Sequence, residues 1–294
     1  MTSVTYTPIR TPRHQQLNVR GLKHRLTWWG EPTDTPVVLL HGFQDCGDTW
    51  QFLVDRLPHT WSLVAPDWRG FGGSEWATSG YWFPDYLADL EALLDVLVPK
   101  ARARVIGHSM GANVAALYSG IRPDRLQWFV NLEGLGLPRT QPKEAPSRYA
   151  KWLDELKEPL IEGRYDSVQQ LAGMLVKRNP RLSAGRAAFI ARAWTRDTER
   201  GVSLAFDPRH RLVNPILYRR EEAEACWSHA VIPMLLLMGE KSGHGERLAA
   251  FGERLNAPFP GAQVETVPGV GHMMHHEDPE AVAARIISFA HAHP

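Results

Sequence analysis

The sequence predicts an α/β fold in which helices cover both faces of a mostly parallel sheet. Three observations predict it. Short apolar runs, typical of strands buried on both faces, alternate along the chain with segments of helical periodicity. One such run, at 103–106, leads through a serine flanked by glycines straight into a helix. The alternation stops at 139–230, where only helical patterns continue, and this indicates a helical insertion.

The strands are predicted mainly from continuous apolar runs. The first differs, because its residues alternate loosely between Gly21 and Gly30. We expect it to be antiparallel and to lie at a sheet edge. The others alternate with helices, which favours parallel pairing through right-handed crossovers. In order, the predicted strands are 22–29, 37–40, 61–66, 103–106, 126–132, 234–238 and 263–267.

The helices are predicted from apolar residues at helical spacing. The pattern is clearest at 83–97, where Phe83, Leu90 and Leu97 share a stripe that excludes the acidic residues. Pro279 marks the first turn of the closing helix. The other predicted core helices are 50–57, the segment after Ser109, and 246–255. Those of the insertion are 148–160, 165–178 and 184–196.

Composition excludes several classes of protein. With 294 residues and 44% hydrophobic content, the chain can bury a large core. A net charge of +1 indicates neither a nucleic-acid groove nor a polybasic membrane patch. The N-terminal residues have no apolar stretch that resembles a secretory signal, and the apolar run 231–238 is too short to cross a bilayer. Two cysteines, Cys46 and Cys226, form no disulfide framework. We expect a cytoplasmic protein without membrane insertion or a nucleic-acid partner; a homodimer is left open.

The segment around Ser109 has the pattern of a nucleophile held on a tight corner. Glycines stand two residues before it, at Gly107, and two after it, at Gly111. A strand that turns at once into a helix strains the serine backbone and brings its neighbours so close that only glycine fits. The first free N–H groups of the helix, that of Met110 foremost, then point at the same spot. We predict Ser109 as the nucleophile.

A serine hydroxyl needs a base to take its proton, and an imidazole has a suitable pKa. We predict His272, in the turn after the last strand, as that base. His275 and His276 are rival candidates for the base. Alternatively, they are solvent-exposed loop histidines that cap the next helix. A metal site of His272, His275 and Glu277 is a further alternative, but no fourth ligand stands at zinc-site spacing.

The imidazole in turn needs a carboxylate to orient it. Glu133 directly follows the strand 126–132, and its long side chain can span from there, so we predict it as the acid. Glu240 and Asp278 are the fallback candidates. The backbone N–H groups of Phe43 and Met110 are predicted to stabilise the oxyanion. Candidates for the substrate pocket are His108, Trp152 and Trp194.

The sequence resembles the α/β-hydrolase superfamily over nearly its whole length. The resemblance rests on His41-Gly42-Phe43, the Gly-rich loop 67–74, the corner 107–111, the helical insertion and Gly271-His272. Within the superfamily, the chain is most similar to the serine-hydrolase-like group and its bacterial relatives. The segments that suggest this are 41–45, 86–89, 132–136, 144–148 and 207–209.

The resemblance implies an eight-stranded, mostly parallel sheet with helices on both faces. A helical cap, 139–230, is then inserted between strands six and seven of a core formed by 1–138 and 231–294. No cofactor and no metal are expected, because the loop 67–74 matches neither a phosphate cradle nor a dinucleotide fingerprint. One departure from the superfamily is that Ser242 stands where the aspartate of the triad is usual.

The function expected from these residues is a serine hydrolase. It would cleave a carboxylic ester of a small to medium, largely apolar substrate through an acyl-enzyme. Dehalogenases and epoxide hydrolases of the superfamily carry an aspartate nucleophile where this chain has Ser109, so those activities are disfavoured. A cofactor-free dioxygenase, suggested by Trp68-Arg69-Gly70 and Glu133, stays open, as do a carbon–carbon bond hydrolase and a non-catalytic ligand-binding protein.

Overall fold

An eight-stranded sheet forms the core of the computed structural model, which describes residues 5–243 and 259–294. Its strands are β1 Arg13–Val19, β2 Leu22–Trp29, β3 Val37–Leu40, β4 Leu63–Pro66, β5 Ala103–His108, β6 Leu126–Leu132, β10 Met234–Gly239 and β11 Gln263–Val267. They are ordered β1-β2-β4-β3-β5-β6-β10-β11, with β1–β2 and β2–β4 antiparallel and all other pairs parallel. The predicted fold class is therefore confirmed.

Helices lie on both faces of this sheet, and others belong to the segment between β6 and β10. The described helices are α1 Gln51–Val54, α2 Phe83–Leu97, α3 Ser109–Ile121, α4 Ala145–Glu155, α5 Val168–Arg178, α6 Ala184–Ala193, α7 Arg220–Trp227, α8 Met274–Glu277 and α9 Pro279–Ala292. Alternate strand residues point to opposite faces. Val105 of β5 packs in the cluster that includes α2 and α3, whereas Ile106 packs in the cluster that includes α1 and α9. Both faces of β5 are thus buried, as its apolar run predicts.

The first part of the sheet differs from the prediction. The chain begins the sheet with β1, which the sequence analysis missed, and β1 rather than β2 occupies the edge. The prediction that 22–29 lies at the edge is wrong. The reason is that β1 is largely polar and exposed, so it shows no apolar run. The strand β4 and the helix α1 are also shorter than predicted.

The segment between β6 and β10 contains the three helices predicted for it, together with the helix α7 and a small antiparallel sheet, neither of which was predicted. That sheet is formed by β7 Arg164–Tyr165, β8 Thr195–Thr198 and β9 Gly201–Leu204, in the order β7-β9-β8. Strands of two to four residues are too short to leave an apolar pattern, and β8 is also polar and mostly exposed. The helix predicted at 184–196 ends at Ala193 because the chain enters β8 directly afterwards.

The last helix of this segment, α7, packs against α3. A Cβ atom on Gly120 of α3 would collide with the carbonyl of Cys226, which shows how closely the two helices approach. The division into a core and a cap at 139–230 stays a prediction. The helix predicted at 246–255 lies outside the described residues. Among the described helices, none has the length and apolar character needed to span a bilayer.

Candidate active site

Ser109 lies at the junction of β5 and α3, with a backbone φ of +49°. A residue with a side chain is strained in this left-handed region, and such strain concentrates at functional sites. The flanking glycines are required by the close approach of their neighbours. A Cβ atom on Gly111 would lie 2.6 Å from the carbonyl oxygen of His41 and closer still to that of Leu40. The corner therefore holds Ser109 against the loop that follows β3.

Glu133 is the first residue after β6 and is buried, with a φ of +57°. Three groups donate to its carboxylate. The N–H of Gly239 lies 2.7 Å from Oε1, while the Ser242 hydroxyl at 2.5 Å and Nδ1 of His272 at 2.6 Å both contact Oε2. Burial alone would raise the pKa of Glu133, but these hydrogen bonds outweigh burial and lower the pKa below its ordinary value. Glu133 is thus held as a carboxylate.

His272 is the histidine that this carboxylate engages. Because the carboxylate is the acceptor, Nδ1 of His272 carries the proton, which leaves Nε2 as the basic nitrogen. The backbone of His272 is also held, since its carbonyl oxygen lies 2.9 Å from Nε2 of His108. The two rings are 4.7 Å apart, and His108 directly precedes Ser109. Hydroxyl, imidazole and carboxylate therefore belong to one neighbourhood at the carboxyl ends of the strands.

The loop after β3 brings backbone donors to the same place. A Cβ atom on Gly42 would lie 3.2 Å from Cβ of Ser109, so this loop passes directly over the serine. The N–H groups of Phe43 and Met110 donate to no other group in the described part of the chain. Gln44, the next residue, has a φ of +60°. Two N–H donors near the serine are the arrangement that stabilises an oxyanion in acyl transfer.

The residues predicted for the pocket lie in different surroundings. His108 is buried beneath the site, and burial and the neighbouring His272 lower its pKa well below the ordinary value. Trp152 is half-buried on α4. Trp194 follows α6, and its indole N–H lies 2.7 Å from Oδ1 of Asp45. The side chain of Phe43, in contrast, is 47% exposed and packs edge-on against Phe71, so it presents an apolar surface beside the proposed oxyanion donors.

The fallback acids are engaged elsewhere. Glu240 is exposed and accepts the N–H of Gly269, whereas Asp278 caps α9 by accepting the N–H of Ala281. Glu277, part of the alternative metal set, is already bonded to Gly271, Asn179 and Arg181. Neither carboxylate of the fallback pair contacts a histidine among the described residues.

Two features of this neighbourhood were not found from the sequence. Ser242, which stands where an aspartate is usual, donates a hydrogen bond to the carboxylate of Glu133. The loops after β6 and β10 therefore both contribute to the acid position. His275 and His276 are buried, so their reading as exposed loop histidines is wrong. The cause is that the residues after His272 form the single turn α8, which packs beneath the site. Its four-residue length leaves no periodicity from which burial can be read.

A parallel sheet with a strained serine at the start of a helix, and a carboxylate–histidine pair beside it, defines an α/β hydrolase type of protein. A model of the alpha/beta hydrolase family matches residues 37–285. The chain belongs to this family.

Two curated relatives cover most of the chain. It is 28% identical to a serine hydrolase-like protein of Danio rerio over 277 aligned residues, which are 89% of this chain and 83% of that protein. It is 25% identical to a putative 2-succinyl-6-hydroxy-2,4-cyclohexadiene-1-carboxylate synthase of Bacillus subtilis, over 92% of this chain and 95% of that protein. Among solved structures, the thioesterase domain from the curacin biosynthetic pathway matches with a TM-score of 0.84 at 24% identity, covering 95% of this chain and 99% of that domain. The last likeness shows the fold.

Proposed function

We propose that the protein is a serine hydrolase that cleaves carboxylic esters through an acyl-enzyme, with Ser109, His272 and Glu133 as its catalytic residues. The observation that carries the proposal is the 2.6 Å contact between Nδ1 of His272 and the buried carboxylate of Glu133, beside a serine held at φ +49°. A carboxylate–imidazole pair has the polarity needed to deprotonate an alcohol. The family membership and the hydrolase-named relatives support the same class of reaction.

In the proposed mechanism, Oγ of Ser109 attacks the ester carbonyl carbon while Nε2 of His272 takes the hydroxyl proton. The N–H groups of Phe43 and Met110 bind the oxyanion that forms, and the carboxylate of Glu133 stabilises the imidazolium. Collapse of this intermediate breaks the bond to the alkoxy oxygen, which leaves as an alcohol with the proton from His272. Water then attacks the acyl-enzyme by the same route and releases the carboxylic acid.

The substrate is proposed to be small to medium and largely apolar. The exposed ring of Phe43 beside Phe71 supplies an apolar wall next to the proposed oxyanion donors. Trp152 and Trp194 stay candidates for the opposite wall, contributed by the segment 139–230. A panel of p-nitrophenyl esters with acyl chains of two to about twelve carbons tests this, because a small apolar pocket favours short to medium chains. A preference for charged acyl groups would contradict it.

The surroundings of Trp68 and Arg69 do not support the alternative hypothesis of a cofactor-free dioxygenase, which was based on this loop. Trp68 is fully buried, and its indole N–H donates to the carbonyl of His41. Arg69 is also buried and forms a two-point ion pair with Asp89, at 2.6 and 2.5 Å. Trp68 thus holds this loop to the loop after β3, and Arg69 holds it to α2. The non-catalytic reading rested on the missing acid at Ser242, and Glu133 occupies that role in the proposal.

Labelling with a fluorophosphonate tests the proposal directly. Such a probe phosphonylates only an activated serine, so we expect one adduct per chain, located by peptide mass spectrometry on Ser109. Ser109→Ala should abolish the adduct and ester hydrolysis together. As the matched control, Ser119→Ala changes a buried serine of the same helix, whose hydroxyl bonds the carbonyl of Ala116, and should leave labelling intact. A folded chain that takes no adduct, or takes it at another serine, would contradict the proposal.

A further inference from the structure

Beside the proposed catalytic residues, three buried side chains converge without hydrogen bonds between them. Asp45, in the loop after β3, and His275 and His276, on α8, are 3%, 1% and 2% exposed. One donor atom from each lies within 4.8 Å of the other two. Oδ2 of Asp45 is 3.9 Å from Nε2 of His275 and 3.8 Å from Nε2 of His276. These gaps are too long for hydrogen bonds.

The carboxylate of Asp45 is fixed so that one oxygen faces the two imidazoles. Its Oδ1 accepts three hydrogen bonds, from the N–H of Cys46 at 2.9 Å, the hydroxyl of Thr49 at 2.6 Å and the indole of Trp194 at 2.7 Å. Its Oδ2 has no hydrogen-bond partner among the described residues. Neighbouring groups that orient a ligating carboxylate in this way are typical of metal sites.

The two imidazoles present the same feature. Nε2 of His276 and both ring nitrogens of His275 have no hydrogen-bond partner in the part of the chain that the structure describes. Leaving such polar atoms buried and unpaired costs free energy for each of them. A cation bound by Oδ2 of Asp45 and one nitrogen of each imidazole would satisfy three of these atoms together.

We propose that Asp45, His275 and His276 bind a divalent transition metal ion of the zinc type. Two imidazole nitrogens and one carboxylate oxygen are a donor set that suits Zn²⁺ and Co²⁺ rather than Mg²⁺ or Ca²⁺. In tetrahedral coordination, donors about 2.0–2.1 Å from zinc lie about 3.4 Å from one another. The carboxylate oxygen of Asp45 lies 3.8 and 3.9 Å from the two imidazole nitrogens, about 0.5 Å more than this, and all three donor atoms lie within 4.8 Å of one another. Binding would therefore draw the three side chains inward.

The fourth coordination position falls to a water molecule or a small anion, as in zinc sites with three protein ligands. A small cavity lined by Gln44, Asp45, Cys46 and Trp194 lies next to Asp45. This site uses none of the proposed catalytic residues, since the imidazole of His272 is hydrogen-bonded to Glu133 and is not one of the three ligands. It adjoins them, since the His275 ring lies 4.4 Å from that of His108.

Binding of Zn²⁺ to the full chain, stripped with a chelator and dialysed, tests the proposal. Isothermal titration should give one ion per chain with a Kd in the micromolar range or below. Asp45→Asn keeps the shape and the Oδ1 acceptor but removes the charge, and His276→Gln removes a ligand; each should weaken binding at least about 100-fold. His229→Gln changes an exposed histidine, and His272→Gln the proposed catalytic one, and both should leave the affinity unchanged.

Two measurements on the unaltered protein guard against variants that fail to fold. Co²⁺ should give the intense visible absorption of four-coordinate cobalt, and X-ray absorption at the zinc edge should show two imidazoles in the first coordination shell. The proposal is overturned if no zinc is retained, which would leave the cluster as a water site. It is equally overturned if His272→Gln abolishes binding while Asp45→Asn does not, because the ion would then sit at the proposed hydrolytic site.

Discussion

At the scale of single residues, two loops contribute to the acid position of the proposed triad. Glu133, at the end of β6, supplies the charge, and Ser242, after β10, supplies a hydroxyl to the oxygen that also contacts His272. The Ser242 hydroxyl oxygen lies 2.5 Å from that carboxylate oxygen. The side chain of Glu133, which is longer than that of an aspartate, therefore reaches from the end of the neighbouring strand to a position close to residue 242. The chain thereby departs from its superfamily in sequence while keeping a carboxylate on the imidazole.

Glu133→Gln should lower kcat for ester hydrolysis about 10³- to 10⁴-fold, because an amide neither fixes the tautomer of His272 nor stabilises its cation. Glu240→Gln alters an exposed carboxylate that contacts Gly269, and should leave kcat within about twofold. Steady-state kinetics on the two variants, with thermal unfolding as a check of folding, give the comparison. Equal losses in both variants would contradict the assignment.

The double variant Glu133→Gln with Ser242→Asp provides a rescue. An aspartate at residue 242 brings a carboxylate close to the oxygen that His272 contacts in the unaltered protein, so a part of the lost kcat should return. A double variant no faster than Glu133→Gln alone would show that the two positions are not interchangeable.

Ser109, His272 and Glu133 were chosen from the sequence as candidates because each lies in the corner or loop that follows a strand signal, whereas the positions of Ser242, Asp45 and His276 beside them were not predicted. The position of a residue that follows a strand can be predicted, because the apolar pattern of the strand shows where the strand ends. The proposed metal site instead joins two segments about 230 residues apart along the chain, through a one-turn helix that has no periodicity. Contacts between such segments arise only from the packing of the whole chain.

At the scale of elements, the turn from β5 into α3 determines where the serine stands. Its geometry depends on Gly111, whose missing side chain lets the helix start against the backbone of Leu40 and His41. The apolar run and the two glycines were sufficient to predict this element, and α2 and β6 were likewise predicted to the residue. The edge strand β1 and the sheet of β7, β8 and β9 were missed, because strands this polar or this short satisfy their backbone pairing without an apolar pattern.

Gly111→Ala should destabilise the fold by about 2 kcal/mol or more and sharply lower activity, because its Cβ would force the helix away from the loop after β3. Gly173→Ala is the matched control. Gly173 lies in α5, where a Cβ atom would meet no atom within 4 Å beyond its chain neighbours and the backbone of its own helix. Alanine there should stabilise the helix by about 0.5–1 kcal/mol. Urea unfolding measures both. A harmless Gly111→Ala would contradict the packing described for the corner.

At the scale of the whole molecule, several histidines are buried in the core away from the proposed metal site. Burial lowers the pKa of His24 and His41, and it lowers that of His210 to about 3, where the ring stacks between Phe71 and Tyr81. These groups stay neutral in the folded chain at pH values where the unfolded chain binds protons, below about pH 6.5. Acid therefore favours unfolding.

The free energy of unfolding should accordingly fall as the pH is lowered from 7.5 to 5.5, by up to about 1.4 kcal/mol per pH unit for each such histidine. His210→Phe keeps a flat ring in the stack and should reduce this pH dependence, while His229→Gln, at an exposed position, should not. Urea titrations in the presence of a chelator, at a series of pH values, measure the slope. Stability that is constant or rises toward pH 5.5 would contradict the burial of neutral histidines.

We expect Ser109 to form a covalent acyl-enzyme, and a rapid-mixing experiment with a p-nitrophenyl ester tests this most directly. The predicted result is a burst of one p-nitrophenolate per chain before the steady state, with the acyl group recovered on the peptide that contains Ser109 after acid quenching. Ester hydrolysis with the acyl group recovered on a different residue would contradict the claim.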